Sequence, residues 1–116
     1  MAKFGIGTLG LMRLLNCENL GDEPIERGEL VYACAVSGAN IFRDMREAIT
    51  NTVGGNMVRY EALLDKTIAR ALDALAEKAR AQGYDGVFNI RISHPTITDG
   101  AIEVVVAGTG FRQAAK

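Results

Sequence analysis

The sequence predicts an α+β fold, a single β-α-β-β domain in which a short helix plus a long helix pack on a small three-stranded sheet. Three patterns predict it: an apolar run of strand length at 29–36, a long stretch of helical periodicity after it, and two further strand-like runs near the end. The chain of 116 residues has the size of one domain. We therefore expect one small core rather than two.

The first predicted strand runs from Glu29 to Val36. Because side chains alternate along a strand, its even-numbered residues share one face: Leu30, Tyr32, Cys34 and Val36. Both faces are apolar, which is typical of a strand buried on two sides. The preceding stretch, Asn16 to Arg27, is polar and predicts a loop. The chain thus divides into an N-terminal arm and loop (1–28), a domain (29–112) and a tail (113–116).

Two helices are predicted after this strand. A short helix begins at Asn40, a plausible N-cap residue, and ends at Gly54-Gly55. A long helix runs from about Asn56 to Gln82, and Gly83 has the residue type expected just after a helix end. Apolar residues recur in the long helix at steps of three and four and predict one buried stripe: Tyr60, Leu64, Ile68, Ala71, Leu72, Leu75 and Ala79.

Two strands close the predicted domain. The run from Val87 to Ile92 alternates, which predicts a half-buried strand with Phe88, Ile90 and Ile92 on one face and Asn89 and Arg91 on the other. Asp99-Gly100 predicts a turn before the last strand, Ala101 to Phe111. Gly108 and Gly110 near the end of that strand indicate a bulge or a close backbone contact.

The predicted elements leave apolar surface uncovered. The first and last strands are apolar on both faces, whereas one layer of helices covers a single face. Further copies of the chain would cover the rest and pair the exposed strand edges. We therefore expect a closed homo-oligomer, with the apolar residues of the N-terminal arm docked inside it.

Four short segments carry a family resemblance. The segment Ser37-Gly38-Ala39-Asn40-Ile41-Phe42-Arg43-Asp44 resembles the G-x-N-x-x-x-D signature of the YbjQ-like proteins. Val53-Gly54-Gly55 followed by Tyr60-Glu61 is similar to the second signature of that family. Residues 79–87 resemble its helix-to-strand junction, A-x-x-x-G-A-[ND]-A-[VI], and Ala107-Gly108-Thr109-Gly110 resembles its last strand. The resemblance covers Glu29 to Arg112.

The resemblance implies a dodecin-like subunit in a homo-oligomeric ring, a pentamer or a multiple of one. It also implies the label of a heavy-metal-binding protein. The sequence leaves the cofactor unknown, and a transition metal is the candidate. The chain departs from the family at Asn56, where many relatives have a basic residue, and in the arm before Glu29. No metal-ligand motif comes with the resemblance.

The residues themselves offer few metal ligands. Cys17, Cys34 and His94 are the only cysteine and histidine residues, and their spacing matches no closed tetrahedral site. A ring would multiply each ligand around its axis, so Cys34 and His94 are the candidates for a site at subunit interfaces. The alternative is that Cys34 is a small core residue and His94 an ordinary residue of a connection.

A second candidate site would bind a small anion. The short helix begins after Gly38 and Asn40, where free backbone N–H groups favour negative charge, and Arg43 lies close in sequence. Gly54 and Gly55 repeat the arrangement before the long helix. Asp44 either complements the helix dipole or forms an ion pair between subunits. The alternative is structural: the glycines permit tight turns and Asn40 caps the helix.

Other function classes find little support in the sequence. The 13 basic and 14 acidic residues give a net charge of −1, and a nucleic-acid-binding domain is usually basic. The apolar run from Phe4 to Met12 is too short to span a membrane, and two cysteines fit a reducing compartment, so we expect a cytoplasmic protein. Nothing in the sequence places a base beside either thiol, and we expect no enzymatic activity.

Three hypotheses of function follow, in this order. The first is a non-enzymatic, ring-forming binding or scaffold protein whose ligand the sequence does not reveal. The second is a heavy-metal-binding protein with ligands at subunit interfaces. The third is a regulator or enzyme with an anion site at Asn40 and Arg43.

Overall fold

The computed structural model describes residues 12–38, 55–97 and 101–114, without the side chains of residues 55–60. Its elements are, in chain order, β1 (Arg13–Leu14), β2 (Ile25–Ser37), α1 (Gly55–Ala81), β3 (Gly86–Ser93) and β4 (Ile102–Gln113). The short helix predicted from Asn40 to Val53 and the turn predicted at Asp99-Gly100 lie outside the described residues. The α+β class and the order strand, long helix, strand, strand are confirmed.

One mixed sheet contains all the described strands, in the order β1-β3-β4-β2. The central strand β4 is antiparallel to both β2 and β3, and β1 is parallel to β3. The prediction of three strands is therefore wrong, because β1 joins as a fourth. With only two residues, β1 is too short to show an alternating pattern.

Strand β2 begins earlier than the sequence indicates. Its first residues, Ile25 to Arg27, lie in the stretch predicted to be a loop. They pair with Gln113 to Phe111 of β4. The register then shifts between Arg27 and Leu30, which marks a β-bulge. This segment shows no apolar alternation, since most of its side chains are exposed, and for that reason its strand character was not evident.

Helix α1 matches its prediction to within one residue at each end. Gly83 has a φ of 85°, and Tyr84 N donates to Ala79 O while Gly83 N donates to Arg80 O, so the helix ends in a Schellman motif. In the described parts of the chain, no helix is both long and apolar enough to cross a membrane.

The core lies between α1 and one face of the sheet, which we call the inner face. Ala71, Leu75 and Ala79 of the predicted helical stripe are fully buried, and Leu64, Ile68 and Leu72 pack at its border. On the inner face of the sheet, the buried residues include Val31, Ala33 and Ala35 of β2 and Val104 and Val106 of β4. The many alanines let the helix approach the sheet closely, so small residues stabilise this layer by close packing.

A bulge in β3 changes the faces predicted for its residues. Phe88 pairs with Thr109, whereas Arg91 pairs with Ala107, so three steps in β3 match two in β4. Phe88 and Arg91 therefore share the outer face, and the prediction that Phe88 lies with Ile90 and Ile92 is wrong. Gly108 faces the bulge, and a Cβ there would lie 2.9 Å from the Phe88 carbonyl oxygen, which confirms the predicted close contact.

Candidate functional site

Most residues of the predicted anion site lie outside the described part of the chain. These are Asn40, Arg43, Asp44 and Gly54. Gly38 directly follows β2 and is exposed, and Gly55 is the first residue of α1. The two described glycines thus flank the stretch that would carry the site, and the anion site stays a prediction.

The two metal-ligand candidates lie apart in one protomer. Cys34 is exposed in the middle of β2, and His94 is exposed just after the last residue of β3. Cys34 pairs with Val105 of β4, which pairs in turn with Ser93 of β3. One strand therefore lies between Cys34 and the neighbour of His94, a separation of about 10 Å. Ligands of one metal ion must approach far more closely than that.

The described ranges contain no group of three or more His, Cys, Asp or Glu side chains that could hold a metal ion. Cys17, the third candidate, is exposed in the connection between β1 and β2. Its carbonyl oxygen accepts a hydrogen bond from Asn89 N at 2.8 Å, so its backbone is anchored against the bulge of β3. Within the described ranges, neither Cys34 nor His94 has further ligands beside it in the same protomer.

The outer face of β2 carries three of the five large apolar side chains that are exposed among the described residues. Leu30, Tyr32 and Val36 are 65%, 57% and 50% exposed, and Cys34 between them is also exposed. We call these four residues the outer strip. The sequence predicted their common face, and it predicted that one helical layer would leave one face of the sheet uncovered. The common face is confirmed, and among the described elements the helix α1 covers the inner face and not the outer one.

Two cations of α1 reach the free edge of β2. Lys78 Nζ donates to the Tyr32 carbonyl oxygen at 2.9 Å and lies 4.6 Å from the centre of the Tyr32 ring. Arg70 donates to the Val36 carbonyl oxygen at 3.4 Å. A groove of about 340 Å³ runs beside this edge between Leu30, Tyr32 and the end of α1. Sequence reasoning missed both cations, although their spacing of two helical turns places them on one side of the helix.

The other half of the outer face is closed by arginines. Phe88 and Phe111 form an edge-to-face pair with centroids 5.9 Å apart, and both are buried. Arg13 lies over Phe111 and Arg27 lies over Phe88, at 5.8 and 5.5 Å from the ring centres. Guanidinium groups stack well on aromatic rings, so they shield this pair from water. Nothing in the spacing of the two arginines signals this role.

Glu23 holds one of these arginines in place. Arg13 Nη1 donates to Glu23 Oε2 at 2.6 Å, and Gln113 Nε2 donates to the same oxygen at 3.1 Å. These hydrogen bonds, that of Arg13 first, lower the pKa of Glu23 below its ordinary value. The carboxylate therefore stays ionised to a lower pH than a free glutamate, and the ion pair persists with it.

Asn89 is the one non-glycine residue with a positive φ among the described residues. It has a φ of 57° and occupies the bulge of β3. Its side-chain oxygen Oδ1 is buried and has no hydrogen-bond partner among the described residues. Arg91, two residues on, lies 3.7 Å from Glu18 across an exposed ion pair. The sequence predicts a common face for Asn89 and Arg91, but the bulge interrupts the alternation between them: Asn89 Oδ1 is buried, whereas Arg91 is exposed.

Comparison with known proteins identifies the family. The chain is 34% identical over 102 residues to a UPF0145 protein of Halorubrum lacusprofundi, covering 87% of this chain and 98% of that one. It is also 34% identical to a UPF0145 protein of Psychrobacter arcticus, of which it covers 65%.

The fold recurs in a crystal structure from Pediococcus pentosaceus. That protein, of unknown function and assigned to the DUF74 family, has a TM-score of 0.63 at 13% identity, with 89% of this chain and 98% of that chain covered. A family model matches residues 12–113, and its description reads "Putative heavy-metal-binding". Because the match spans nearly the whole described chain, this protein belongs to the YbjQ-like family.

Proposed function

We propose that the chain is a non-enzymatic binding or scaffold protein that works as a closed homo-oligomeric ring in the cytoplasm. The outer strip is the observation that carries this proposal. Three of its side chains are half exposed or more, and they form one continuous apolar surface on a strand. A soluble monomer rarely exposes contiguous apolar surface of this kind, and such a patch usually marks an interface.

The charge of the chain favours self-association over a nucleic-acid partner. The formal net charge is −1, so two copies repel each other little. When two different surfaces meet head to tail, the subunits form a ring if the rotation from one subunit to the next divides a full turn evenly. The outer face and the edge of β2 differ from the helical side of the protomer, as a head-to-tail contact requires.

Native mass spectrometry of the untagged protein, purified without chelator, tests this proposal. We expect a single assembly of defined stoichiometry, a pentamer or a multiple of one. A monomer at micromolar concentration would overturn the proposal. Extra mass per subunit in the size range of a metal ion would support the second candidate function, heavy-metal binding.

The second candidate is heavy-metal binding at subunit interfaces. It is favoured by the exposed thiol of Cys34 in the middle of an apolar surface, because rotational symmetry would bring several such thiolates together. Binding of Zn²⁺ or Ni²⁺ is measured by calorimetry on the wild type and on Cys34→Ser and His94→Ala. Cys17→Ser is the matched control, since it removes an exposed thiol outside the outer strip. Loss of affinity in the control but in neither candidate variant would contradict this function.

A further inference from the structure

We propose that the groove between the free edge of β2 and the end of α1 binds a small organic anion, a carboxylate joined to an apolar body. We call it the edge groove, and its lining residues are Leu30, Val31, Tyr32, Lys78, Ala81 and Gln82. This inference rests on the proposed binding function and deepens it by naming the class of ligand. The site is built from the residues of one protomer.

The size and the lining of the edge groove suit a small molecule. Its volume of about 340 Å³ lies in the range of small-molecule sites. Leu30 and Tyr32 are 65% and 57% exposed, and Ala81 adds a methyl group, so these residues offer an apolar wall. Lys78 and Gln82 are the polar residues of the lining. Apolar walls with a few polar groups can hold an apolar body and recognise one polar group on it.

The ammonium group of Lys78 is held at the groove, but its charge is not paired. It donates to the Tyr32 carbonyl oxygen at 2.9 Å and lies 4.6 Å from the centre of the Tyr32 ring. Among the described residues, no carboxylate forms an ion pair with Lys78. An ammonium group has further donors beyond the one used here. A carboxylate would use both these donors and the positive charge.

The end of α1 does not oppose an anion at this place as strongly as a bare helix end would. Carbonyl groups at a C-terminal helix end carry negative partial charge. Here the Schellman motif occupies several of them, and Arg112 Nη2 donates to the Gln82 carbonyl oxygen at 3.1 Å. The lining of the groove contains Lys78 and no acidic residue. The local charge therefore favours an anion.

A small anion suits this edge better than an added strand does. Lys78 and Arg70 donate to the carbonyl oxygens of Tyr32 and Val36, and an incoming strand would have to displace both cations. Lysine at a sheet edge is a common device against strand addition. A carboxylate can instead bind the remaining donors of Lys78 while the hydrogen bond to Tyr32 stays in place.

An NMR titration with phenylacetate tests the site on the full chain in its native assembly. The native assembly is required because Leu30 and Tyr32 also belong to the outer strip, so the groove borders the surface of the proposed ring. Labelled methyl groups of Leu30 and Ala81 report both the place and the affinity of binding. Phenylacetamide has the same shape without the charge, and acetate lacks the apolar body. We expect phenylacetate to bind about tenfold or more tightly than either.

Matched substitutions separate the charge of the groove from its shape. Lys78→Gln keeps a donor for the Tyr32 carbonyl oxygen but removes the charge, so it should weaken phenylacetate binding about tenfold and leave phenylacetamide binding unchanged. Ala81→Leu fills the groove and should weaken the binding of both compounds. Lys66→Gln is the control, because it removes an exposed charge of the same helix about 18 Å from Lys78 along the axis. Its affinity should match the wild type, and circular dichroism confirms that each variant is folded.

The ring and the edge groove fail in different ways. A wild-type monomer whose Leu30 and Ala81 methyl groups respond to phenylacetate would overturn the ring and support the site. An assembled wild type in which these methyl groups do not respond would overturn the site alone. The same holds if phenylacetamide binds as tightly as phenylacetate, or if Lys78→Gln and Lys66→Gln bind phenylacetate equally well.

Discussion

Ser37 donates a hydrogen bond to Thr67 Oγ1, and this bond joins the end of β2 to α1 inside the protein. The direction follows from proton counting. Thr67 Oγ1 donates its one proton to the Leu63 carbonyl oxygen at 2.8 Å, so the proton between the two hydroxyls belongs to Ser37. Thr67 is fully buried and Ser37 nearly so, which makes this pair the polar link in an otherwise apolar layer.

Thr67→Val should destabilise the protein by about 1–3 kcal/mol. Valine keeps the shape of threonine but leaves the buried Ser37 hydroxyl without an acceptor, and an unpaired buried donor is costly. Urea unfolding at fixed protein concentration measures the change. The double variant Ser37→Ala, Thr67→Val should cost less than the two single changes added together, since it leaves no hydroxyl unpaired. Additive costs would show that the two hydroxyls do not interact.

Gly110→Ala should be strongly destabilising. A Cβ at Gly110 would lie 2.4 Å from Cδ2 of the Tyr84 ring, and Tyr84 is held on the other side by its hydroxyl, which accepts a 2.8 Å hydrogen bond from Glu29 N. We expect a loss of about 1–3 kcal/mol from this overpacking. Gly38→Ala is the matched control, because no atom lies within 4 Å of its Cβ position. Equal melting temperatures of the two variants would contradict the contact.

Periodicity predicted the elements that pack on a core. The apolar stripe of α1 and the alternation in the middle of β2 follow directly from one-sided burial, so both could be read from the sequence. β1 could not, because its position depends on backbone bonds such as Leu15 N to Val87 O, which carry no side-chain pattern. The face of Phe88 was misassigned for a related reason: a bulge shifts the register without changing the composition.

The candidate sites were less predictable than the fold. The exposure of Cys34 follows from the side of the sheet that α1 covers, and alternation alone cannot say which side that is. Arg13 lies over Phe111 and Arg27 over Phe88, and each reaches the aromatic pair from its own side because β1 and β2 lie at opposite edges of the sheet. Contacts between residues far apart in sequence depend on strand order, which a single sequence determines poorly.

Asn89→Val should destabilise the protein, whereas Asn89→Gly should not. The φ of 57° at this bulge is accessible to asparagine and glycine, but a β-branched side chain is strained there. We expect Asn89→Val to cost about 1–3 kcal/mol in urea unfolding. Asn89→Gly also removes the unpaired Oδ1 atom, so its stability should stay within about 1 kcal/mol of the wild type. A valine variant as stable as the glycine variant would show that the bulge relaxes.

Glu23 should titrate below the range of an ordinary glutamate, because Arg13 and then Gln113 hydrogen-bond its ionised form. The pKa of Glu23 is therefore lower in the folded protein than in the unfolded chain. The ion pair therefore contributes fully above the unfolded pKa, and its contribution is lost as the pH falls through the folded pKa. Both side chains are partly exposed, so water weakens the effect on stability and the titration itself is the sharper readout.

Carboxyl ¹³C chemical shifts, followed from neutral to acid pH, measure this pKa. Arg13→Gln should raise the midpoint of Glu23 more than Gln113→Ala does, since the bond from Arg13 is the larger cause of the shift. Arg13→Gln should also expose the Phe111 ring to water, because the same guanidinium covers it. A Glu23 midpoint that Arg13→Gln leaves unchanged would mean that the ion pair does not form in solution.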